Sequence, residues 1–243
     1  MYVMVIMELP RPQVLQRHLQ AAKRCNQVYY DSQNNVSLKM NPFRRTVNLI
    51  VKGTSTPHHW QNNLMMSVNE LDAHKGFWKY AQECVRDVQE LYPDLKEGDV
   101  RPGGSIYMAA HSSGCAALTM CLYEVMRNEM LRELTQNWEI ELVMFGSPRP
   151  GKRKFVEEFN QLLNEANNVN VYRYEVSLDI ASSFPPIPGY EHVGGNYVQL
   201  NSKILGDPYA NHSIHNYIDN IDFVIQNYEE VKHRMANCNE FSL

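Results

Sequence analysis

The sequence predicts an α/β protein with a mostly parallel central sheet and helices on both faces of that sheet. Apolar runs of strand length alternate with amphipathic helical patterns, and one apolar run passes directly into a helix through a turn that contains serine. The chain has 243 residues, a length at which α/β folds commonly form one domain. We therefore expect a single domain over 1–243.

Four strands are predicted from short apolar runs that are bounded by turn-forming residues. They cover 46–51, 105–109, 140–145 and 169–174. Their length and apolar character are typical of strands buried within a sheet that helices cover.

Five helices are predicted from apolar residues that recur at three- and four-residue steps. They cover 14–29, 77–91, 114–134, 154–163 and 214–228. Glycine and proline residues mark three other segments as loops, namely 93–104, 146–151 and 185–195.

Composition argues against several classes of partner and cofactor. A formal net charge of −4 gives no reason to expect a nucleic-acid partner. The five cysteines are odd in number and lack metal-ligand spacing, so we expect thiols and no metal. The apolar segment 1–7 lacks a basic start and a cleavage site, and no stretch approaches the roughly 20 apolar residues of a membrane-spanning helix. We expect a cytoplasmic or otherwise intracellular protein without a transmembrane segment.

The segment 109–117 joins a strand to a helix through Ser112. A serine hydroxyl becomes a nucleophile when a sharp turn presents it to a base and places backbone N–H groups near the developing oxyanion. Such a turn needs small residues two positions before and after the serine, and here these are Ala110 and Gly114. Centring the turn on Ser113 would place two larger side chains there. These residues alone also fit an ordinary strand-to-helix turn.

A second segment, 49–56, is an apolar run that ends in glycine and hydroxyl residues. With these two segments the chain resembles the class 3, fungal-type triacylglycerol lipases, a family of α/β-hydrolases. Four further stretches match the family pattern in order, and the resemblance spans roughly residues 10 to 230. These stretches are 74–77, 145–151, 177–179 followed by Pro185 and Pro186, and 212–214 with Tyr217.

The resemblance implies an α/β-hydrolase fold and a serine carboxylester hydrolase that needs no metal or cofactor. The implied substrate is an acylglycerol or a phospholipid. The residues themselves favour an uncharged or weakly polar ester, because no cluster of arginine or lysine lies in the matching stretches.

The general base has to be chosen among the histidines that follow Ser112, because α/β-hydrolases place serine, acid and histidine in that order along the chain. His192 lies in a stretch where it looks structural, and His233 lies in a charged tail beyond the last predicted helix. His212 lies on a loop and begins a stretch that matches the family. We favour it over His215, which falls inside the predicted helix.

Asp179 is the predicted acid. It follows the strand 169–176 and precedes a proline-rich loop, which places its carboxylate at the C-terminal edge of the sheet with Ser112. There it would accept a hydrogen bond from the ring of His212 and fix the tautomer of that ring. The alternatives are Asp207 as the acid, and a turn-capping role for Asp179.

Two backbone N–H groups are predicted to bind the oxyanion. Ser113 contributes one because it begins a helix, where N–H groups lack intrahelical partners and the helix dipole is positive. The resemblance assigns the second to Thr54.

The segment 57–66 occupies the position of a mobile lid in the family pattern. Its apolar residues are interleaved with polar ones, so it could contact a lipid interface transiently and gate the site. A helix packed on the sheet, with its tryptophan in the core, is the other interpretation. The apolar residues concerned are Trp60, Leu64, Met65 and Met66.

Two other functions fit the same residues. One is a phospholipase A1 or a short-chain esterase. The preferred acyl-chain length, and whether the rate rises above the solubility limit of the substrate, would distinguish it from a triacylglycerol lipase. The other is a catalytically silent, lipid-binding pseudoenzyme. A degenerate copy is expected to lose at least one catalytic group, whereas Ser112, Asp179, His212 and the Gly53–Thr54 pair are all present.

Overall fold

A six-stranded sheet forms the centre of the computed structural model, which describes residues 9–31, 35–41, 45–53, 67–91, 103–201 and 207–239. The two short strands β5 (Gly151–Lys152) and β7 (Tyr190–Glu191) pair as a separate antiparallel ribbon. In order across the main sheet, the strands are β1 (Val36–Asn41), β2 (Thr46–Val51), β3 (Ser105–His111), β4 (Glu139–Phe145), β6 (Val169–Val176) and β8 (Asn196–Leu200).

The sheet is mostly parallel, as the sequence predicts. Strand β1 runs antiparallel to β2, and each pair from β2 to β8 is parallel. The register places Val51 beside Ala110, His111 beside Phe145, and Phe145 beside Tyr174. The C-terminal ends of β2, β3, β4 and β6 therefore meet at one edge of the sheet.

Helices cover both faces of the sheet. They are α1 (Pro12–Asp31), α2 (Lys75–Leu91), α3 (Ser113–Arg127), α4 (Glu129–Thr135), α5 (Arg153–Glu165), α6 (Pro208–Asn211), α7 (Ile214–Gln226) and α8 (Tyr228–Asn239). Helices α2, α3 and α5 pack on one face, and α1 and α7 pack on the other. Across the described ranges, each helix is too short or too polar to traverse a bilayer.

The two helical layers form two buried cores because successive side chains of a strand point to opposite faces of the sheet. On β4, Leu142 and Met144 belong to the core under α2, α3 and α5, whereas Val143 and Phe145 belong to the core under α1 and α7. Both faces of a central strand are therefore apolar, which explains the continuous apolar runs in the sequence.

All four predicted strands are present, and three of them are longer than predicted. The sequence analysis missed β1 and β8, and it treated Gly151 of β5 and both residues of β7 as loop residues. Strand β1 alternates apolar and polar side chains, the pattern of a half-exposed edge strand, which a search for continuous apolar runs overlooks.

Two helix predictions need correction. The predicted helix over 114–134 is divided at Asn128, whose backbone is extended, with φ −77° and ψ 117°. The Asn128 side chain accepts a hydrogen bond from the N–H of Leu131 at 3.1 Å and so caps α4. The predicted helix over 214–228 ends at Gln226, and His233 lies in α8 rather than in a tail.

We expect Asn128→Ala to lower the free energy of unfolding by about 1 kcal/mol, because alanine cannot accept the hydrogen bond that begins α4. Asn128→Asp is the matched control, since aspartate keeps the acceptor and is favourable at a helix N-terminus. Urea denaturation of the three proteins measures the difference. Equal losses for both variants would contradict a capping role.

Candidate active site

Four residues of the matching stretches lie just beyond the C-terminal ends of adjacent parallel strands. Gly53 follows β2, Ser112 follows β3, Gly146 follows β4, and Asp179 follows β6. Open α/β sheets place their sites at this edge because the loops after neighbouring strands meet there. The topology of the sheet thus brings together segments that are far apart in the sequence.

Ser112 makes the whole turn between β3 and α3. Its φ is 61° and its ψ is −137°, a conformation that residues other than glycine rarely adopt. The N–H of Ser112 donates to the carbonyl of Phe145 at 3.0 Å, and its own carbonyl accepts from the N–H of Cys115 at 2.9 Å. These bonds fix the turn on both sides of the serine.

The small residues around Ser112 have a direct steric reason. A Cβ on Gly114 would lie 2.7 Å from the carbonyl oxygen of Lys52 and 2.8 Å from that of Val51, closer than real Cβ atoms approach. Ala110 is fully buried. Ser113, the alternative nucleophile, is the first residue of α3 and is also buried.

His212 lies between α6 and α7 and reaches both Ser112 and Asp179. Its Nε2 is 2.8 Å from the Ser112 Oγ, and its Nδ1 is 2.9 and 3.0 Å from the two carboxylate oxygens of Asp179. A carboxylate only accepts, so Nδ1 carries the proton and Nε2 accepts from the serine hydroxyl. The three side chains form one hydrogen-bonded series.

The carboxylate of Asp179 is buried and has several donors. Its Oδ1 accepts from the N–H of Ala181 at 2.8 Å, and its Oδ2 accepts from the hydroxyl of Tyr217. Burial raises the pKa of this carboxyl, but the hydrogen bond and charge of His212, with the two other donors, outweigh burial and lower the pKa. Asp179 is therefore ionised at neutral pH.

Tyr217 connects the acid to the sheet. It is buried on the first turn of α7, and its hydroxyl accepts from the N–H of Val176 at 3.2 Å while donating to Asp179. The sequence analysis included Tyr217 in a matching stretch but gave it no role. Its spacing of five residues from His212 was the available signal, since it places Tyr217 on the first turn of α7 and His212 just before that helix.

The alternative base and acid have other positions. His215 is exposed on α7, and exposed Asp207 caps α6 by accepting the N–H groups of Tyr209 and Ala210, each at 3.0 Å. His192 supports the segment after the acid, because its Nε2 donates to the carbonyl of Ser182 at 2.9 Å.

Burial, followed by the charge of Arg173, lowers the pKa of His192 to about 3. A neutral ring that donates to a backbone carbonyl is a structural group, in agreement with the prediction for His192.

The end of β2 lies directly against the serine turn. A Cβ on Gly53 would be 2.6 Å from the Cβ of Ser112 and 2.8 Å from the carbonyl oxygen of His111. Ser113 opens α3, so its peptide N–H lies at the positive end of that helix. The predicted second oxyanion donor Thr54 and the predicted lid residues Trp60, Leu64, Met65 and Met66 lie outside the described residues.

Gly146 occupies the point where the acid, the base and Tyr217 meet. Its φ is 62°, and a Cβ there would lie 2.8 Å from the Asp179 Oδ2 and 3.0 Å from both the His212 Nδ1 and the Tyr217 hydroxyl. The sequence analysis noted Gly146 in a matching stretch and in a loop, without a role. Glycine is required here by its backbone conformation and by the space that the site needs.

A mostly parallel sheet, helices on both faces and a strained serine turn at the C-terminal edge define an α/β-hydrolase. A family model described as lipase (class 3) matches residues 46–189, more than half of the chain. The chain belongs to the class 3 lipase family and is a carboxylester hydrolase.

Solved structures share this fold. The Lip2 lipase from Yarrowia lipolytica is 15% identical, with a TM-score of 0.52 and 84% of each chain covered. Lipase II from Rhizopus niveus is 16% identical, with a TM-score of 0.54, covering 80% of this chain and 83% of its own.

A third similar structure is a fungal lipase–inhibitor complex that provides a model for interfacial activation in lipases. It is 17% identical, with a TM-score of 0.52, covering 78% of this chain and 79% of its own. No curated protein sequence matches the chain. At these identities the structural similarity establishes the fold.

We expect Gly146→Ala to lower the kcat of ester hydrolysis by about 100-fold or more, because the added methyl group would force the Asp179 and His212 side chains apart. Gly189→Ala is the matched control: Gly189 also has a positive φ, 87°, but nothing lies within 4 Å of the added Cβ. Both variants carry the backbone strain, of order 1–3 kcal/mol. Steady-state kinetics and thermal denaturation separate the two effects, and equal kcat values for both variants would contradict the steric argument.

Burial, followed by the charge of His212, lowers the pKa of His111 from 6.5 to about 3. The unfolded chain binds this proton below about pH 6.5 and the folded chain does not, so stability is lost as the pH falls from about 6.5 to about 3. We expect the Tm of the unaltered protein to fall more steeply between about pH 7 and about pH 4 than that of His111→Gln. Exposed His215→Gln should keep the original slope; parallel curves for the protein and His111→Gln would refute the expectation.

Proposed function

We propose that this protein hydrolyses lipid esters through a catalytic triad of Ser112, His212 and Asp179. The observation that carries the proposal is the hydrogen-bonded series from the Ser112 Oγ through both ring nitrogens of His212 to the Asp179 carboxylate. Nucleophile, base and orienting acid stand in the relation that acyl transfer requires.

In the first half of the reaction, the Ser112 Oγ attacks the ester carbonyl carbon while the His212 Nε2 takes the hydroxyl proton. The carbonyl oxygen becomes an oxyanion, and the carboxylate of Asp179 stabilises the imidazolium that forms. His212 then gives this proton to the alkoxide oxygen, the alcohol leaves, and the acyl group remains on Ser112.

In the second half, water replaces the alcohol. His212 takes a proton from the water, whose oxygen attacks the acyl carbon, and then returns the proton to the Ser112 Oγ as the carboxylic acid leaves. The acyl-enzyme therefore divides one difficult step into two easier ones, and the chain needs no cofactor for either.

The oxyanion would be held by the peptide N–H groups of Ser113 and Thr54. The position of Ser113 at the start of α3 supports the first assignment, and the close contact of Gly53 with the serine turn supports the second. In a comparable site, each donor contributes about 3 kcal/mol to stabilising the transition state.

The proposed substrate class is an acylglycerol. Exposed apolar side chains flank two of the triad residues: Leu178 and Ile180 lie on either side of Asp179, and Tyr209 precedes His212 by three positions. Such exposed side chains are unfavourable in water and favourable against acyl chains. The similarity to a lipase that is described as a model for interfacial activation supports the same class.

Labelling with a fluorophosphonate, followed by mapping of the modified peptide, tests activity and nucleophile together. Turnover is then compared on an emulsified triacylglycerol, a phospholipid vesicle and a short p-nitrophenyl ester. A rate of triacylglycerol hydrolysis that rises above the solubility limit of the substrate supports a lipase that acts at a lipid interface. Activity confined to phospholipid or to the short ester would replace the acylglycerol as the proposed substrate class. Absence of labelling refutes the mechanism.

We expect Ser112→Ala and His212→Ala each to reduce kcat on the short ester by roughly four to six orders of magnitude. Ser113→Ala and His215→Ala are the matched controls, because each alters the neighbouring residue of the same type. The Tm of Ser112→Ala should stay close to that of the unaltered protein, since one partly exposed hydroxyl contributes little packing. Loss of activity in Ser113→Ala but not in Ser112→Ala would transfer the nucleophile to Ser113.

A further inference from the structure

A series of three hydrogen bonds connects two segments that contact the proposed nucleophile. The N–H of Gly53 is 2.9 Å from the hydroxyl oxygen of Tyr29, which is 2.9 Å from the His111 Nδ1. The His111 Nε2 is 2.7 Å from the carbonyl oxygen of His212. The series connects the end of β2 to the peptide of the proposed base through two side chains that the mechanism above does not use.

The direction of these bonds follows from the groups at the two ends. A peptide N–H only donates, so the Tyr29 oxygen accepts from Gly53 and its hydrogen is directed to the His111 Nδ1. A peptide carbonyl only accepts, so His111 carries its proton on Nε2 and donates to His212. One tautomer of His111 therefore satisfies all three bonds.

The protonation states of both side chains support the same arrangement. Burial, followed by the charge of His212, lowers the pKa of His111 to about 3, and burial raises the pKa of Tyr29 well above its ordinary value. Both groups stay neutral from mildly acidic to mildly basic pH. A protonated His111 would carry hydrogen on both ring nitrogens and could not accept from Tyr29.

Both ends of the series contact the Ser112 turn. Gly53 directly precedes Thr54, the proposed oxyanion donor, and a Cβ on Gly53 would clash with the Tyr29 hydroxyl. At the other end, the His111 ring also stacks on the His212 ring, with centroids 4.6 Å apart and planes at 26°. Tyr29 and His111 thus contact both segments that have to be aligned with the nucleophile.

We infer that Tyr29 and His111 form a positioning relay, which fixes the proposed base His212 relative to the strand end at Gly53, the two segments that contact the proposed nucleophile. Neither side chain takes a proton from the substrate. The relay increases the rate by keeping the His212 ring and the strand end at Gly53 in fixed positions relative to each other. Displacements of about an ångström at a reacting centre have large effects on rate. This inference rests on the proposed function of Ser112 and His212.

The test is steady-state hydrolysis of a short p-nitrophenyl ester by Tyr29→Phe, which removes one oxygen atom from the relay. We expect kcat to fall about 10- to 100-fold with KM within about twofold, because alignment in the transition state is lost while the surface that binds the ester is unchanged. Tyr30→Phe is the matched control: Tyr30 is the next residue of α1 and is 77% exposed. Its kcat should equal that of the unaltered protein.

A double-variant cycle tests whether the two side chains act as one unit. His111→Phe keeps an aromatic ring beside His212 but removes both hydrogen bonds. The double variant should lose about as much kcat as the more damaged single variant, whereas independent groups would give losses that multiply. If His111→Phe does not fold, Tyr29→Phe decides alone.

Two results would overturn the relay: an unchanged kcat in Tyr29→Phe, whatever its Tm, or losses that multiply in the double variant. Fluorophosphonate labelling of the unaltered protein in the same experiment separates this failure from that of the proposed function. An unaltered protein that neither hydrolyses the ester nor is labelled at Ser112 refutes the mechanism itself. If the unaltered protein is active and labelled, and Tyr29→Phe has the same kcat, the relay alone is refuted.

Discussion

The positive φ of Ser112 is the constraint on which the rest of the site depends. A residue other than glycine holds such a conformation only where its surroundings determine it strongly. Here the carbonyl of Phe145 holds its N–H, and the contacts of Gly53 and Gly114 leave no room for a wider turn. With the backbone fixed in this way, the hydroxyl projects at the edge where His212 reaches it, and the loops that carry His212 and Asp179 have to converge there.

The buried groups around Ser112, His212 and Asp179 include one negative charge, the carboxylate of Asp179. Asp179 is ionised because its donors outweigh its burial, whereas burial favours the neutral forms of His111, Tyr29 and Tyr217. An imidazolium formed at His212 therefore faces an opposite charge on one side and neutral, hydrogen-bonded groups on the other. Such fixed groups stabilise charge without having to reorient during the reaction.

Much of the fold could be predicted from local sequence. Strand β2 was predicted with its observed bounds because its apolar run ends in Ile50 and Val51, which are buried on opposite faces of the sheet. The three residues proposed for the triad follow from chain order and family resemblance. The helix break at Asn128 was missed because asparagine is tolerated within helices and the apolar pattern continues past it. Tyr29 and Gly146 could not be assigned roles, because their partners are distant in the sequence: Tyr29 meets His111 from 82 positions away.

The proposed nucleophile and the proposed base belong to opposite layers of the molecule. Ser112 opens α3 on one face of the sheet, whereas His212 precedes α7, which packs on α1 and β6 at the other face. Local unfolding releases such layers at a lower free energy than the whole domain. Partial melting of the α1 and α7 layer would withdraw the imidazole while the serine stays anchored to the sheet, so heat inactivation would begin before global denaturation and would reverse on cooling.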